Sequence, residues 1–125
     1  MKKTINRQWR LASRPVGDIK ESNFEYREEA IPSIQEGEIL VRNIYLSLDP
    51  THRIWMTDKP QYMPPVELGE VMRGLVLGVF EESKNPNFQT GHMVSGVLGW
   101  QDYTLISTLK TSVPSQNYLT LYQHP

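Results

Sequence analysis

The chain has 125 residues, 13 basic against 14 acidic side chains, 38% hydrophobic residues, 9 Pro and no Cys. The length fits one domain of ordinary size. Near-zero net charge without a polybasic patch excludes a nucleic-acid surface, which needs a basic excess to displace counterions from phosphates. The lack of Cys excludes disulfides, thiolate zinc sites, iron–sulfur clusters and a cysteine nucleophile.

Lys2, Lys3, Arg7 and Arg10 lead into no apolar stretch of the kind a secretory signal requires. The longest strongly apolar run, residues 74–80, is far short of the ~20 residues that cross a bilayer. The expectation is a cytoplasmic protein without a membrane segment.

Short runs rich in Val, Ile, Leu and Tyr, punctuated by Pro, Gly and Asn, predict a mainly β chain. A first strand is predicted over residues 5–12. The turn residues Arg14-Pro15-Val16-Gly17-Asp18 separate it from a second over 24–31, with Phe24, Tyr26 and Glu28 on one face. Glu36-Gly37-Glu38 turns into the longest strand, 39–48, whose apolar residues fall on both faces and predict a central, buried position. Asp49-Pro50 ends it, because Pro donates nothing to a sheet ladder and its fixed φ suits a first helical turn. Asp49 is then the expected cap of a short helix over 51–56. Residues 58–65, with three Pro, read as an exposed loop.

A further strand is predicted over 73–82, where Gly74 and Gly78 mark a bulge, a corner or a close backbone approach. After Asn85-Pro86-Asn87, strands over 93–98 and 102–107 flank Gly99-Trp100-Gln101. About seven short strands suggest a sandwich or a partly open barrel. Beyond Lys110 the chain reads as connecting sequence, so residues 1–110 are expected to form the domain and 111–125 to begin a connection.

His52, His92 and His124 are far apart, with no metal-binding His spacing. No G-x-S-x-G elbow exposes a serine, and no Gly-rich loop cradles a phosphate. No metal site, no nucleotide site and no catalytic residue is therefore assigned.

What remains is a series of segments: Asn6-Arg7-Gln8-Trp9 with Leu11-Ala12-Ser13-Arg14-Pro15; Tyr45-Leu46-Ser47-Leu48-Asp49-Pro50 with Arg53; Leu68-Gly69-Glu70-Val71-Met72-Arg73-Gly74; Glu82-Ser83 with Asn85; and Gly91-His92-Met93-Val94-Ser95-Gly96 running to Gly99-Trp100-Gln101-Asp102-Tyr103. In this order and spacing they resemble the amino-terminal domain of the zinc-independent medium-chain dehydrogenases/reductases. The branch is that of prostaglandin and leukotriene reductases, alkenal double-bond reductases and curcumin reductases. The resemblance covers about residues 5–108.

It implies a GroES-like, partly open β-barrel with short helices, normally followed by a dinucleotide-binding Rossmann domain that is absent here. It also implies NADPH as cofactor of the full-length protein, with no affinity for it in this chain alone. The implied substrates are α,β-unsaturated ketones and aldehydes, reduced at the C=C bond, and the implied assembly is a homodimer. Relatives that use zinc place a Cys near Ser47 and Gly-His-Glu near Gly69-Glu70-Val71; this chain has neither, so zinc is not expected. Thr51 stands where relatives commonly carry a pocket-lining Tyr, and His92 replaces their usual Asp after Gly91.

The resemblance makes Thr51 and Trp100 substrate-binding candidates and turns Asp49, Pro50 and Arg53 toward the cofactor cleft. Each has a plainer reading. Asp49 is an ordinary cap; Arg53 contacts a ligand or pairs with Asp49 or Glu70; Trp100 walls a cleft or packs in the core. Trp9 is assigned to packing, and the residues from Met56 to Met63 form a pocket rim or an exposed loop. Beside the reductase reading stands a stand-alone GroES-like binding or protein-interaction module.

Overall fold

The computed structural model describes residues 5–59, 61, 64–107 and the backbone of 122–124. Strands β1 (Ile5–Leu11) and β2 (Phe24–Ala30) pair antiparallel from Ile5↔Ala30 to Leu11↔Phe24. Between them a 3-10 turn over Glu21–Asn23 is closed by Asn23 Oδ1 accepting from the Lys20 amide at 2.7 Å.

The second sheet holds β3 (Glu38–Leu46), β4 (Leu75–Ser83), β5 (Met93–Val97), β6 (Tyr103–Ser107) and β7 (Tyr122–His124), in the order β6-β3-β4-β5-β7. Every pairing is antiparallel. The only α-helix among the described residues is α1, Thr51–Trp55. The chain is mainly β, as its alternation predicts, and among the described residues the two sheets stay open rather than closing into a full barrel.

The second edge of β1 joins the sheets. The Trp9 and Leu11 amides donate to Trp100 and Glu70 carbonyls at 2.9 Å each, and the Met72 amide donates back to the Trp9 carbonyl at 2.9 Å. Buried polar side chains reinforce this seam. Gln101 Oε1 accepts from Asn6 and Gln8 at 3.0 Å each, and Gln101 Nε2 donates to Thr104 Oγ1 and the Leu98 carbonyl. Asn6 also exchanges two hydrogen bonds with the backbone of Tyr103. Buried amides need such partners, since an unpaired one costs roughly 1–3 kcal/mol.

Three apolar clusters fill the interior. Ile39, Val41, Val76, Phe80, Val94, Leu98 and Ile106 form the first. Ile34, Leu40 and Tyr103 form the second on the opposite face of β3. Leu11, Trp55, Met56, Val66 and Met72 form the third, under α1, with Phe24 and Trp100 against it.

Several sequence expectations shift. Strand β3 lies inside the sheet, between β6 and β4, and buries Ile39, Leu40 and Val41 on both faces; it ends at Leu46, and its outer half is exposed. The helix stops at Trp55, with Met56 as its C-cap. Met56 is neither rim nor exposed loop, being 1% exposed in the core; Met63 lies outside the described residues. The strand expected from residue 73 begins at Leu75, one residue after Gly74. Of the expected connection, only the backbone of Tyr122–His124 is described, paired with β5.

Candidate functional site

The site lies where β3 outruns one neighbour. Strand β6 pairs with β3 only from Glu38↔Ser107 to Arg42↔Tyr103, so beyond Asn43 one flank is uncovered while β4 still pairs along the other. The exposed outer residues are apolar: Ile44, Tyr45 and Leu46, followed by Leu48. The β1–β2 pair lies across the gap and presents Trp9 and Tyr26, cross-strand neighbours with ring centroids 5.3 Å apart.

The result is an open groove of about 290 Å³, walled by Trp9, Tyr26, Tyr45, Leu46 and Trp100 with Arg7, Asn43 and Asp102 at its polar margin. Its size is near the lower end for small-molecule sites. The polar groups are mostly committed. Arg7 forks onto the Asp102 carboxylate at 2.8 and 3.1 Å; Tyr26 donates to Glu28 at 3.0 Å; Asn43 Nδ2 donates to the Gln101 carbonyl and Thr104 Oγ1. Desolvation, then Glu28, holds the Tyr26 phenol above its ordinary pKa. Asn43 Oδ1 is buried without a partner.

Trp100 enters the groove from a ladder of rings. It stacks on Phe24 at 5.4 Å and 19°, and its other neighbour is the His52 ring at 5.5 Å. His52 in turn lies 5.2 Å from Trp55, over which the Arg73 guanidinium sits at 5.4 Å. Gly74 admits the indole, because a Cβ there would come within 2.8 Å of Trp100 Nε1 and 2.6 Å of Leu46 Cδ1. Both Trp100 Nε1 and His52 Nε2 are buried without a hydrogen-bond partner.

His52 is 4% exposed, and burial pushes its pKa below the ordinary value, with Asp49 opposing. A protonated ring would gain cation–π attraction from its indole neighbours, roughly 0.5–2 kcal/mol, but stripping water from an unpaired charge costs several kcal/mol. The neutral imidazole is favoured. A base whose folded pKa is depressed contributes stability above its unfolded pKa, about 6.5, and loses it as pH falls toward the folded value. Urea midpoints at pH 8 and pH 5 should therefore fall more for the parent than for His52→Phe; equal falls would show that the ring is not held neutral. Glu70, whose pKa burial raises, is common to both proteins and cancels in the comparison.

The other predicted site residues sit on α1 and the turn before it. Asp49 acts one position earlier than expected: Pro50 is the N-cap, and Asp49 Oδ1 accepts from the Thr51 amide at 2.9 Å. The Thr51 side chain adds a hydrogen bond to the same carboxylate, and these bonds lower the Asp49 pKa. Arg53 pairs with neither Asp49 nor Glu70; it donates to the carbonyls of Pro15 and Gly17 at 3.2 and 3.1 Å. Trp100 lines the groove, whereas Asp49, Pro50, Thr51 and Arg53 do not. Trp9 and Tyr26 line it although neither was singled out for it; their alternation onto the outward face of the β1–β2 pair was the available signal.

A second cavity of about 330 Å³ lies beside Arg10, Glu70, Arg73 and Leu105. Among the described residues no three His, Asp or Glu side chains converge as a metal site would require. No described helix is long and apolar enough to cross a membrane.

Residues 7–113 match the family model described as the N-terminal domain of oxidoreductases. The chain belongs to that family. This oxidoreductase domain is 46% identical over 105 residues to the NADPH-dependent curcumin reductase of Escherichia coli (strain K12), covering 84% of this chain and 30% of that one. It is 33% identical over 110 residues to the NADP(+)-dependent 2-alkenal reductase of Nicotiana tabacum, covering 85% and 32%. Its fold superposes on CurA from Vibrio vulnificus with TM-score 0.78 at 41% identity, covering 88% of this chain and 34% of that one. CurA in complex with NADPH gives 0.75 at 38%, covering 90% and 35%. The oxidoreductase domain thus spans about a third of the length of the relatives it matches.

Proposed function

We propose that this domain forms the substrate side of an NADPH-dependent, cytoplasmic medium-chain reductase that reduces the C=C bond of α,β-unsaturated ketones and aldehydes. The observation that carries the reading is the aromatic groove at the outer end of β3, in a chain 46% identical to part of a curcumin reductase. Flat, conjugated, mostly apolar molecules suit walls made of Trp9, Tyr26, Tyr45 and Trp100, because aromatic faces contribute area and stacking together.

The dinucleotide does not fit this chain by itself. Among the described residues no Gly-rich turn leads into a helix amino terminus, the arrangement that takes a pyrophosphate, and α1 has only five residues. NADPH is assigned to the portion of the longer protein beyond this domain, and the domain alone is read as inactive. What these residues do is bind and orient the enone and exclude water from it. Reduction at the β-carbon leaves charge on the carbonyl oxygen, which a hydrogen-bond donor must meet. Of the groove's phenols, that of Tyr26 is engaged by Glu28, and that of Tyr45 has no hydrogen-bond partner among the described residues.

The test is a fusion of residues 1–107 to the carboxy-terminal remainder of the E. coli curcumin reductase, assayed for NADPH oxidation with curcumin and a panel of enones and enals. A folded fusion that turns over none of them would sink the reading. Trp100→Ala should lower kcat/KM by roughly tenfold or more, the equivalent of losing ~1.4 kcal/mol of stacking. Thr51 lies outside the groove as this domain forms it, in the segment that the resemblance directs toward the cofactor cleft. A Tyr ring there is proposed to reach the substrate from that side, so Thr51→Tyr should shift preference between small enals and bulky enones, mainly through KM. If both variants leave every kcat/KM unchanged, neither residue shapes the pocket.

A further inference from the structure

We propose that His52 is a positioning residue that sets the indole of Trp100 at the groove, tying helix α1 to the groove wall through a buried ring contact. Three observations support this. His52 is buried, its ring lies 5.2 Å from that of Trp55 and 5.5 Å from that of Trp100, and its Nε2 and the Trp100 Nε1 both lack a hydrogen-bond partner.

Consider what holds Trp100. Phe24 stacks on it, Gly74 leaves room for its edge, and His52 supplies its contact with α1. No hydrogen bond pins the indole N–H, so its orientation depends on packing alone, and packing is sensitive to the shape and charge of each neighbour. A neutral imidazole can remain against two indoles. A protonated one has an N–H cation with no acceptor, and it gains most by moving toward water or toward Asp49, the one carboxylate that acts on it.

The charges around it come from three elements. Asp49 stands in the turn before α1; Arg73 lies over Trp55; Arg14 donates to the carbonyl of Met56, directly after α1. Of these, Asp49 is the charge that acts on the His52 ring and favours its protonation, against the burial that disfavours it. Displacement of His52 would leave Trp100 without its neighbour on that side and change the wall that the substrate meets. That consequence for substrate rests on the function proposed above, whereas the coupling of the two rings does not.

The experiment is a pH titration of the 125-residue chain by NMR, following the indole N–H resonances and the His52 ring protons, with Trp100→Phe used to assign the Trp100 signal. The Trp100 indole is expected to shift with a midpoint below the ordinary imidazole value of about 6.5, the same midpoint as His52. Trp9, which packs on Tyr26, should not follow it. In His52→Phe, which keeps an aromatic ring, the Trp100 shift should vanish; His52→Gln serves as the second variant, and the parent titration decides alone if neither folds. A Trp100 signal that stays flat while His52 titrates overturns the proposal, as does a shift that persists in His52→Phe. In the fusion described above, a coupled titration without enone turnover would leave this inference standing and remove the functional reading.

Discussion

Phe80→Ala is expected to lower the stability of the domain by roughly 3–5 kcal/mol, the range for deleting a buried aromatic ring. Phe80 is fully buried in the apolar cluster that also holds Val41, its partner on β3, and Val94 of β5, and Phe88 meets it edge-on at 5.5 Å. The sheet backbone around it is tied by ladders on both sides, so it cannot collapse into the space. With total stabilities of ~5–15 kcal/mol usual for domains, this loss approaches global unfolding. Urea denaturation of parent and variant measures it, and a loss under ~1.5 kcal/mol, the scale of a volume-conserving swap, would mean that the core around Phe80 is loose.

Gly78→Ala should be nearly as damaging, about 3 kcal/mol, at the upper end for overpacking. The reason is backbone, not conformational freedom: a Cβ at Gly78 would lie 2.6 Å from the Arg42 carbonyl oxygen and 2.8 Å from Val41 Cγ1. A flexible side chain could swing aside, but a paired strand cannot. Gly78 also stands opposite Asn43, where the β3–β4 register becomes irregular before Tyr45. Pushing the strands apart there should tilt Tyr45 and Leu46, which wall the groove. The same variant in the fusion is therefore expected to raise KM for bulky enones. A stability within ~0.5 kcal/mol of the parent would show that β4 does not approach β3 this closely.

Much of this architecture is legible from the residues. The Asp49-Pro50 break and the helix after it follow from the fixed φ of proline, a local constraint no distant partner alters. Of Phe24, Tyr26 and Glu28, which alternation set on one face, Tyr26 and Glu28 are hydrogen-bonded to each other, while Phe24 packs against the cluster under α1. Gly74 and Gly78 left a bulge, a corner or a close backbone approach open; Gly78 proves to be a close backbone approach, to the Arg42 carbonyl, whereas Gly74 makes room for the side chains of Leu46 and Trp100. The groove was less legible. Trp9 is half-exposed and packs on Tyr26, but it also lines the groove; His52 gave no sign in the sequence that it would be buried against two indoles.

The division has a physical cause. Strand alternation, proline and glycine restrictions and capping chemistry act over a few residues, so the sequence by itself determined that the chain is mainly β, where its turns fall and where its one described helix begins. Burial is settled by partners far away in the chain. Residues 39–41 and 44–46 are alike in apolar character, yet Ile39 to Val41 are core and Ile44 to Leu46 are surface, where β6 no longer pairs beyond Arg42. Only the tertiary structure decided that, and with it the position of the groove: an apolar strand end becomes a binding surface when the neighbour that would have covered it turns away.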